Sequence, residues 1–152
     1  MNLDQITTNF NIESSSVREL HADCKMRGIS ETCKKEMDLI IRYWKPVQKE
    51  EKKYGGLLLE LDVKIHAEDP EEEPDKIHLS LEGVFSSPAS AISDEVFEEL
   101  LNINGGAALY AIARSKMETI SATVYQSGKV LLPMVNIIQY FEEKSKEQGS
   151  DA

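Results

Sequence analysis

Cysteine is scarce, with only Cys24 and Cys33 in 152 residues. Two thiols cannot build a disulfide scaffold, and their spacing fits no zinc motif. Long apolar runs are missing as well. No stretch approaches the roughly 18 consecutive apolar residues of a membrane-spanning helix, so membrane insertion is not expected. The opening Met1-Asn2-Leu3-Asp4-Gln5 has neither the basic start nor the apolar stretch of a secretory signal. With reduced thiols, this reads as a cytoplasmic protein. Positive charge is in short supply too: 17 Lys and Arg face 27 Asp and Glu, a formal charge of −10. Such a surface repels nucleic-acid phosphates and excludes nucleic acid as a favoured partner. It attracts basic polypeptide segments, or serves solubility alone.

Chemistry-bearing constellations are equally sparse. His21, His66 and His78 fall on the polar side of strand-like stretches, and no serine or cysteine nucleophile signature accompanies them. Glu71-Glu72-Glu73 lacks EF-hand spacing and reads as a solvated turn rather than a calcium loop. Gly105-Gly106 ahead of a helix could hold an anion. Without the lysine and further glycines of a phosphate loop, it reads better as a helix break. No catalytic residue, metal site or cofactor is expected.

What is present is pattern. Residues 1–14 are expected to form a flexible tail, residues 15–147 a single domain and residues 148–152 a disordered end. Leu20, Ala22, Cys24 and Met26 alternate with His21, Asp23 and Lys25, the period of a half-buried strand. A second strand runs from Met37 to about Val47, with Met37, Leu39, Ile41 and Tyr43 on one face and Ile40 and Trp44 on the other. Gln48–Lys53 reads as a charged connection. Gly55-Gly56 opens a third strand, whose Leu57, Leu59, Leu61, Val63 and Ile65 form the cleanest alternation in the chain. Pro70 and Pro74 mark an acidic turn, and Ile77, Leu79 and Leu81 repeat the pattern in a fourth strand, giving an antiparallel hairpin.

After Pro88 the period shifts to about 3.6. Ser93 is suited to cap a short helix carrying Phe97, Leu100 and Leu101. Asn104-Gly105-Gly106 ends it, and a longer helix follows from about Ala107 to Tyr125, with Tyr110, Ala113, Met117, Ile120 and Val124 at helical spacing. A last helix begins near Val135, capped by Asn136, and dissolves into its charged continuation. Arg114 interrupts the apolar face of the long helix. It is either an anion anchor or, as favoured, a ridge residue pairing with an acidic neighbour or a partner subunit. Strands first and helices afterwards predict an α+β fold: a four-stranded antiparallel sheet followed by a short, a long and a C-terminal helix. Apolar residues on both sheet faces predict association.

Leu109-Tyr110-Ala111-Ile112-Ala113-Arg114 resembles the Leu-Phe-Pro-Tyr-Ala-Arg segment opening the long helix of the SecB family of protein-export chaperones. Leu131-Leu132-Pro133-Met134-Val135-Asn136 is similar to that family's Leu-Ala-Pro-Val-Asn-Phe, and Leu81-Glu82-Gly83-Val84-Phe85 to its Gly-Gly-Ile-Phe. The chain departs in having Ala111 for the proline, Ile112 for the tyrosine and one extra residue before Asn136. The resemblance implies a holdase for unfolded or pre-export polypeptides, assembled as a homotetramer (a dimer of dimers). The long-helix residues Tyr110, Ala113, Arg114, Met117 and Ile120 are then expected at the subunit interface. Clients would occupy apolar grooves, for which Tyr43, Trp44, Val47, Leu58, Ile138, Tyr140 and Phe141 are the candidates. The family's acidic platform docks the translocase motor SecA. Here His78 stands at a position where the platform has a carboxylate, while Glu60, Asp62 and Glu82 could build a patch of their own. That raises a dedicated client such as an antitoxin beside protein export and translocation. A non-chaperone interaction module binding one folded partner is the alternative.

Overall fold

The computed structural model describes residues 9–150. Four strands, β1 (Asn11–Asp23), β2 (Lys35–Lys49), β3 (Lys52–Ile65) and β4 (Asp75–Pro88), precede the helices α1 (Asp94–Leu100), α2 (Gly106–Val124) and α3 (Ile137–Ser150). The strands form one antiparallel sheet in the order β1-β4-β3-β2. The chain therefore crosses from one sheet edge to the other between β1 and β2, then meanders back.

The alternation in β3 and β4 does what its period demands. Leu57, Leu59, Leu61, Val63 and Ile65 share one face with Ile77, Leu79, Leu81 and Phe85, all buried. The helices cover that face with Phe97, Leu101, Leu109, Tyr110, Ala113 and Met117. Ser93 caps α1, its hydroxyl accepting from the Val96 N–H at 3.3 Å. Asn136 caps α3 in the same way through the Gln139 N–H at 3.1 Å.

Four expectations need correction. The chain is already docked before residue 15: Phe10 stacks on Phe85 with centroids 5.3 Å apart, and β1 starts at Asn11. Register irregularities between Ile12 and Ser14 and between Val17 and Glu19 break the alternation that would have marked this strand. Cys24 and Met26 lie past its end. Second, Gln48–Lys53 is mostly strand, with only Glu50 and Glu51 between β2 and β3. Third, Asn104-Gly105-Gly106 does not break the helix; Leu101–Gly105 form a π-helical turn running straight into α2. The glycines serve close packing, since a Cβ on Gly105 would lie 3.1 Å from Leu57 and one on Gly106 3.2 Å from Ile137. Fourth, α3 continues through its charged stretch to Ser150; residues 151 and 152 lie outside the described residues.

The β1–β2 loop is pinned by a buried carboxylate. Asp75 accepts from the N–H groups of Lys25 (2.9 Å) and Met26 (3.2 Å) and from the Tyr125 hydroxyl (2.8 Å). Burial pushes the Tyr125 phenol far above its ordinary pKa, so it stays a donor. No helix among the described residues is long and apolar enough to cross a membrane.

Candidate binding groove

The two outer strands set up different surroundings. Beside β2, α1 and α3 stand apart and leave a groove of about 950 Å³. Its floor is the open edge of β2 from Ile40 to Tyr43. One wall is α1 and the π-helical turn, through Glu95, Glu98, Glu99, Asn102 and Ile103. The other is α3, through Tyr140, Phe141, Lys144, Ser145 and Gln148.

An edge strand presents unpaired backbone groups, and here one of them is met by a side chain. The Tyr140 hydroxyl accepts from the Ile41 N–H at 3.0 Å. Phe141 packs edge-on against Tyr140, centroids 5.1 Å apart. Of the described side chains of α3 only Ile137 is buried, while Tyr140 and Phe141 are half-buried and Ile138 is exposed. A helix seated by one turn is cheaply shifted. A second hollow of about 420 Å³ lies behind Phe141, lined by Ile103 and Ile138.

The seven expected groove residues divide between two places. Tyr43, Tyr140 and Phe141 line the groove, and Ile138 lines the hollow next to it. Trp44 and Leu58 instead line a shallow hollow on the opposite face of the sheet, with Arg18, Glu19, Glu60, Ser80 and Glu82. Val47 stands exposed opposite Tyr54, on that same face. Adjacent strand residues point to opposite faces, so Tyr43 and Trp44 cannot share one groove. The Trp44 indole lies where Gly56 would carry its Cβ, just as Phe97 occupies the space at Gly55 on the helix side. The double glycine seats one ring on each face. Sequence reasoning missed the α1 wall altogether, because nothing in the local pattern of Glu95, Glu98 and Glu99 marks the groove they line.

The expected acidic patch is matched from within. Glu60 pairs with Arg42 (3.1 Å), Glu82 with Arg18 (2.7 Å) and Asp62 with His78 Nδ1 (2.8 Å), while Glu19 meets His78 Nε2 at 3.3 Å. The hydrogen bond to Asp62, reinforced by Glu19, raises the His78 pKa above that of an ordinary histidine. These three carboxylates are therefore not a free anionic platform.

The interface residues also need reassignment. Tyr110, Ala113 and Met117 are consumed by the chain's own core, and Ile120 packs against its rim. Arg114 pairs with no acidic neighbour among the described residues. Its Nε donates to the Leu132 carbonyl at 2.6 Å, and its Nη1 lies 3.2 Å from the Met134 sulfur. Tyr110 donates to the Pro133 carbonyl at 2.6 Å. Both side chains fasten the α2–α3 loop. The exposed side of α2 carries Ala107, Ala111, Ser115, Thr119 and Ala122 instead.

No protein-family profile matches the chain, and no curated protein matches it. Among solved structures it is similar to the Mycobacterium tuberculosis Rv1957 SecB-like chaperone, solved in complex with a ChAD peptide from the Rv1956 HigA1 antitoxin. The two share 11% identity and a TM-score of 0.58 over 83% of this chain and 90% of that one. A protein of unknown function from Streptococcus agalactiae overlaps over 82% of this chain and 96% of that one, at 14% identity and a TM-score of 0.44. At such identity likeness speaks for the fold alone, and with the four-stranded antiparallel sheet and trailing helices described above the conclusion is that this chain has the SecB-like fold.

Proposed function

We propose that this protein is a holdase that keeps non-native polypeptide segments in the groove between β2, α1 and α3. The observation carrying this reading is an open strand edge flanked by a lightly seated helix bearing Tyr140 and Phe141. The edge offers backbone hydrogen bonds that any extended sequence can use, and the aromatic pair offers apolar contact without demanding a particular residue. Such contacts hold a segment without ordering all of it. The structural neighbour's antitoxin peptide supports a polypeptide as occupant. A dedicated client such as an antitoxin fits better than SecA-coupled export, because Glu60 and Glu82 are already paired with Arg42 and Arg18 and Asp62 is hydrogen-bonded to His78.

Assembly into a homotetramer is part of the proposal. Several grooves in one particle would raise avidity for a chain long enough to reach more than one. The test is light scattering of an aggregation-prone client during refolding, with Phe141→Ser as the comparison. Suppression at equal or lower molar amounts of wild-type protein, weakened several-fold by Phe141→Ser, is the expected result. Unchanged scattering with several unrelated clients and with a peptide client would defeat the reading.

A further inference from the structure

One methionine stands apart from the others. Among the described residues Met26 and Met37 are half-buried against the core and Met117 is fully buried, but Met134 is 79% exposed. Its sulfur also has a particular neighbour, lying 3.2 Å from Arg114 Nη1. Arg114 spends its Nε on the Leu132 carbonyl at 2.6 Å and meets no carboxylate among the described residues. A guanidinium is rich in N–H donors and a thioether sulfur is a weak acceptor. The contact is therefore an unequal one, a charged donor facing a poor partner. Both residues bear on one loop. Tyr110 and Arg114 already fasten it through the Pro133 and Leu132 carbonyls, and α3 starts just beyond it at Ile137.

We propose that Met134 is a reversible oxidation site whose sulfoxide is captured by Arg114, locking the loop between α2 and α3. The oxidant is a peroxide. A sulfur lone pair attacks one peroxide oxygen, and the O–O bond breaks as the S–O bond forms. The proton on the transferred oxygen passes to the departing one, which leaves as water. Sulfur loses two electrons and the peroxide gains them; a thiol-dependent reductase returns the thioether. Exposure makes Met134 the fastest of the described methionines to react. Methionine oxidation commonly loosens a protein, because it puts a polar group into apolar packing. Here the sulfur already faces water, and the new oxygen is a stronger acceptor within reach of a charged donor. The expected sign is reversed: the loop tightens. This inference stands apart from the holdase reading, since it concerns how a loop is fastened and not what the groove holds.

The experiment treats the full chain with hydrogen peroxide, maps the oxidised residues by peptide mass spectrometry, and follows amide hydrogen exchange over residues 131–136. Met134→Leu, Met134→Gln and Arg114→Gln are run beside the wild type, each compared with itself before and after treatment. Met134 is expected to gain oxygen roughly tenfold faster than Met26, Met37 or Met117. Exchange in the loop should then slow roughly fivefold, as one added hydrogen bond to a charged donor allows. It should recover on incubation with the reductases for both sulfoxide epimers. Met134→Leu keeps both cysteines, so equal slowing in that variant would trace the effect to thiol oxidation and overturn the inference. Met134→Gln carries a carbonyl oxygen near the sulfoxide's position and should show the slow loop without peroxide. Arg114→Gln should oxidise at Met134 yet show no slowing; if that variant does not fold, Met134→Gln decides the matter. Oxidation spread evenly over the described methionines, or loop exchange unchanged or faster once Met134 is oxidised, overturns the inference. Neither result touches the suppression of aggregation by the reduced protein.

Discussion

The two edges of the sheet are finished in opposite ways. On β2 the helix-facing Leu39 and Ile41 are buried and Tyr140 reaches over to the strand's edge. On β1 all 13 residues are exposed, and the helix-facing Ile12, Val17 and Leu20 remain 43–51% accessible. What ties β1 down, besides its ladder with β4, is polar: Arg18 to Glu82, His78 to Glu19, and a hydrogen bond from Ser86 to Glu13. The lesson is that the apolar side of one edge is covered by helices while its backbone edge stays open, whereas the other edge carries an apolar stripe that the described residues leave about half exposed. Edges of the second kind favour pairing with another copy.

The largest effect is expected where β1 hands over to the loop. Asp75→Ala would strip the acceptor from Lys25, Met26 and Tyr125 and leave a buried hydroxyl unmatched, at a cost of about 3 kcal/mol. Chemical denaturation with an unchanged slope is the measurement; a loss under 1 kcal/mol would mean the loop is held by other means. Next comes a matched pair of truncations. Ile41→Ala on β2 removes buried methylene groups and should cost about 2–3 kcal/mol, whereas Leu20→Ala on β1 should cost about 0.5 kcal/mol or less in dilute protein. If copies associate through β1, Leu20→Ala will instead lower the melting temperature in a concentration-dependent way, and Leu20→Glu will shift the particle to smaller mass in multi-angle light scattering.

Tyr140→Phe removes only the hydroxyl that meets the Ile41 N–H. A loss of about 1 kcal/mol and faster hydrogen exchange at that amide are expected, with the aromatic wall intact. The smallest effect concerns pH. His78 has a raised folded pKa, so its contribution is fully present below the unfolded value of about 6.5. It is lost as pH rises through the higher folded value. Denaturant midpoints of the wild type should therefore fall relative to His78→Asn as pH rises above about 6.5; parallel curves would show that the Asp62–His78–Glu19 contact contributes nothing to holding β1.

Much of the central fold was legible because β3 and β4 bury a single face, so a period of two survives unbroken from Leu57 to Ile65. The start of β1 was not, since its two register irregularities and exposed faces leave no alternation to read. The helix continuity at Gly105-Gly106 was hidden for another reason. Glycine signals both a break and a close approach, and only the position of Leu57 and Ile137 distinguishes them. Of the groove, the aromatic half was found from Tyr43, Tyr140 and Phe141. The carboxylate half was not, because pairing between residues far apart in the chain decides which glutamates remain free.

Local pattern, then, was enough to determine the class of the fold, the buried faces of β3 and β4, and both helix caps, because each depends on neighbours within a few residues; on α2 it found Tyr110, Ala113 and Met117 but also included Val124, which is exposed. Long-range packing alone settled three further matters. It separated Tyr43 from Trp44 across the sheet and turned Glu60, Asp62 and Glu82 into partners of Arg42, His78 and Arg18. It also left Glu95, Glu98 and Glu99 facing a groove. A net charge of −10 is a sum over residues; where that charge is exposed depends on which side chains the fold brings within hydrogen-bonding distance.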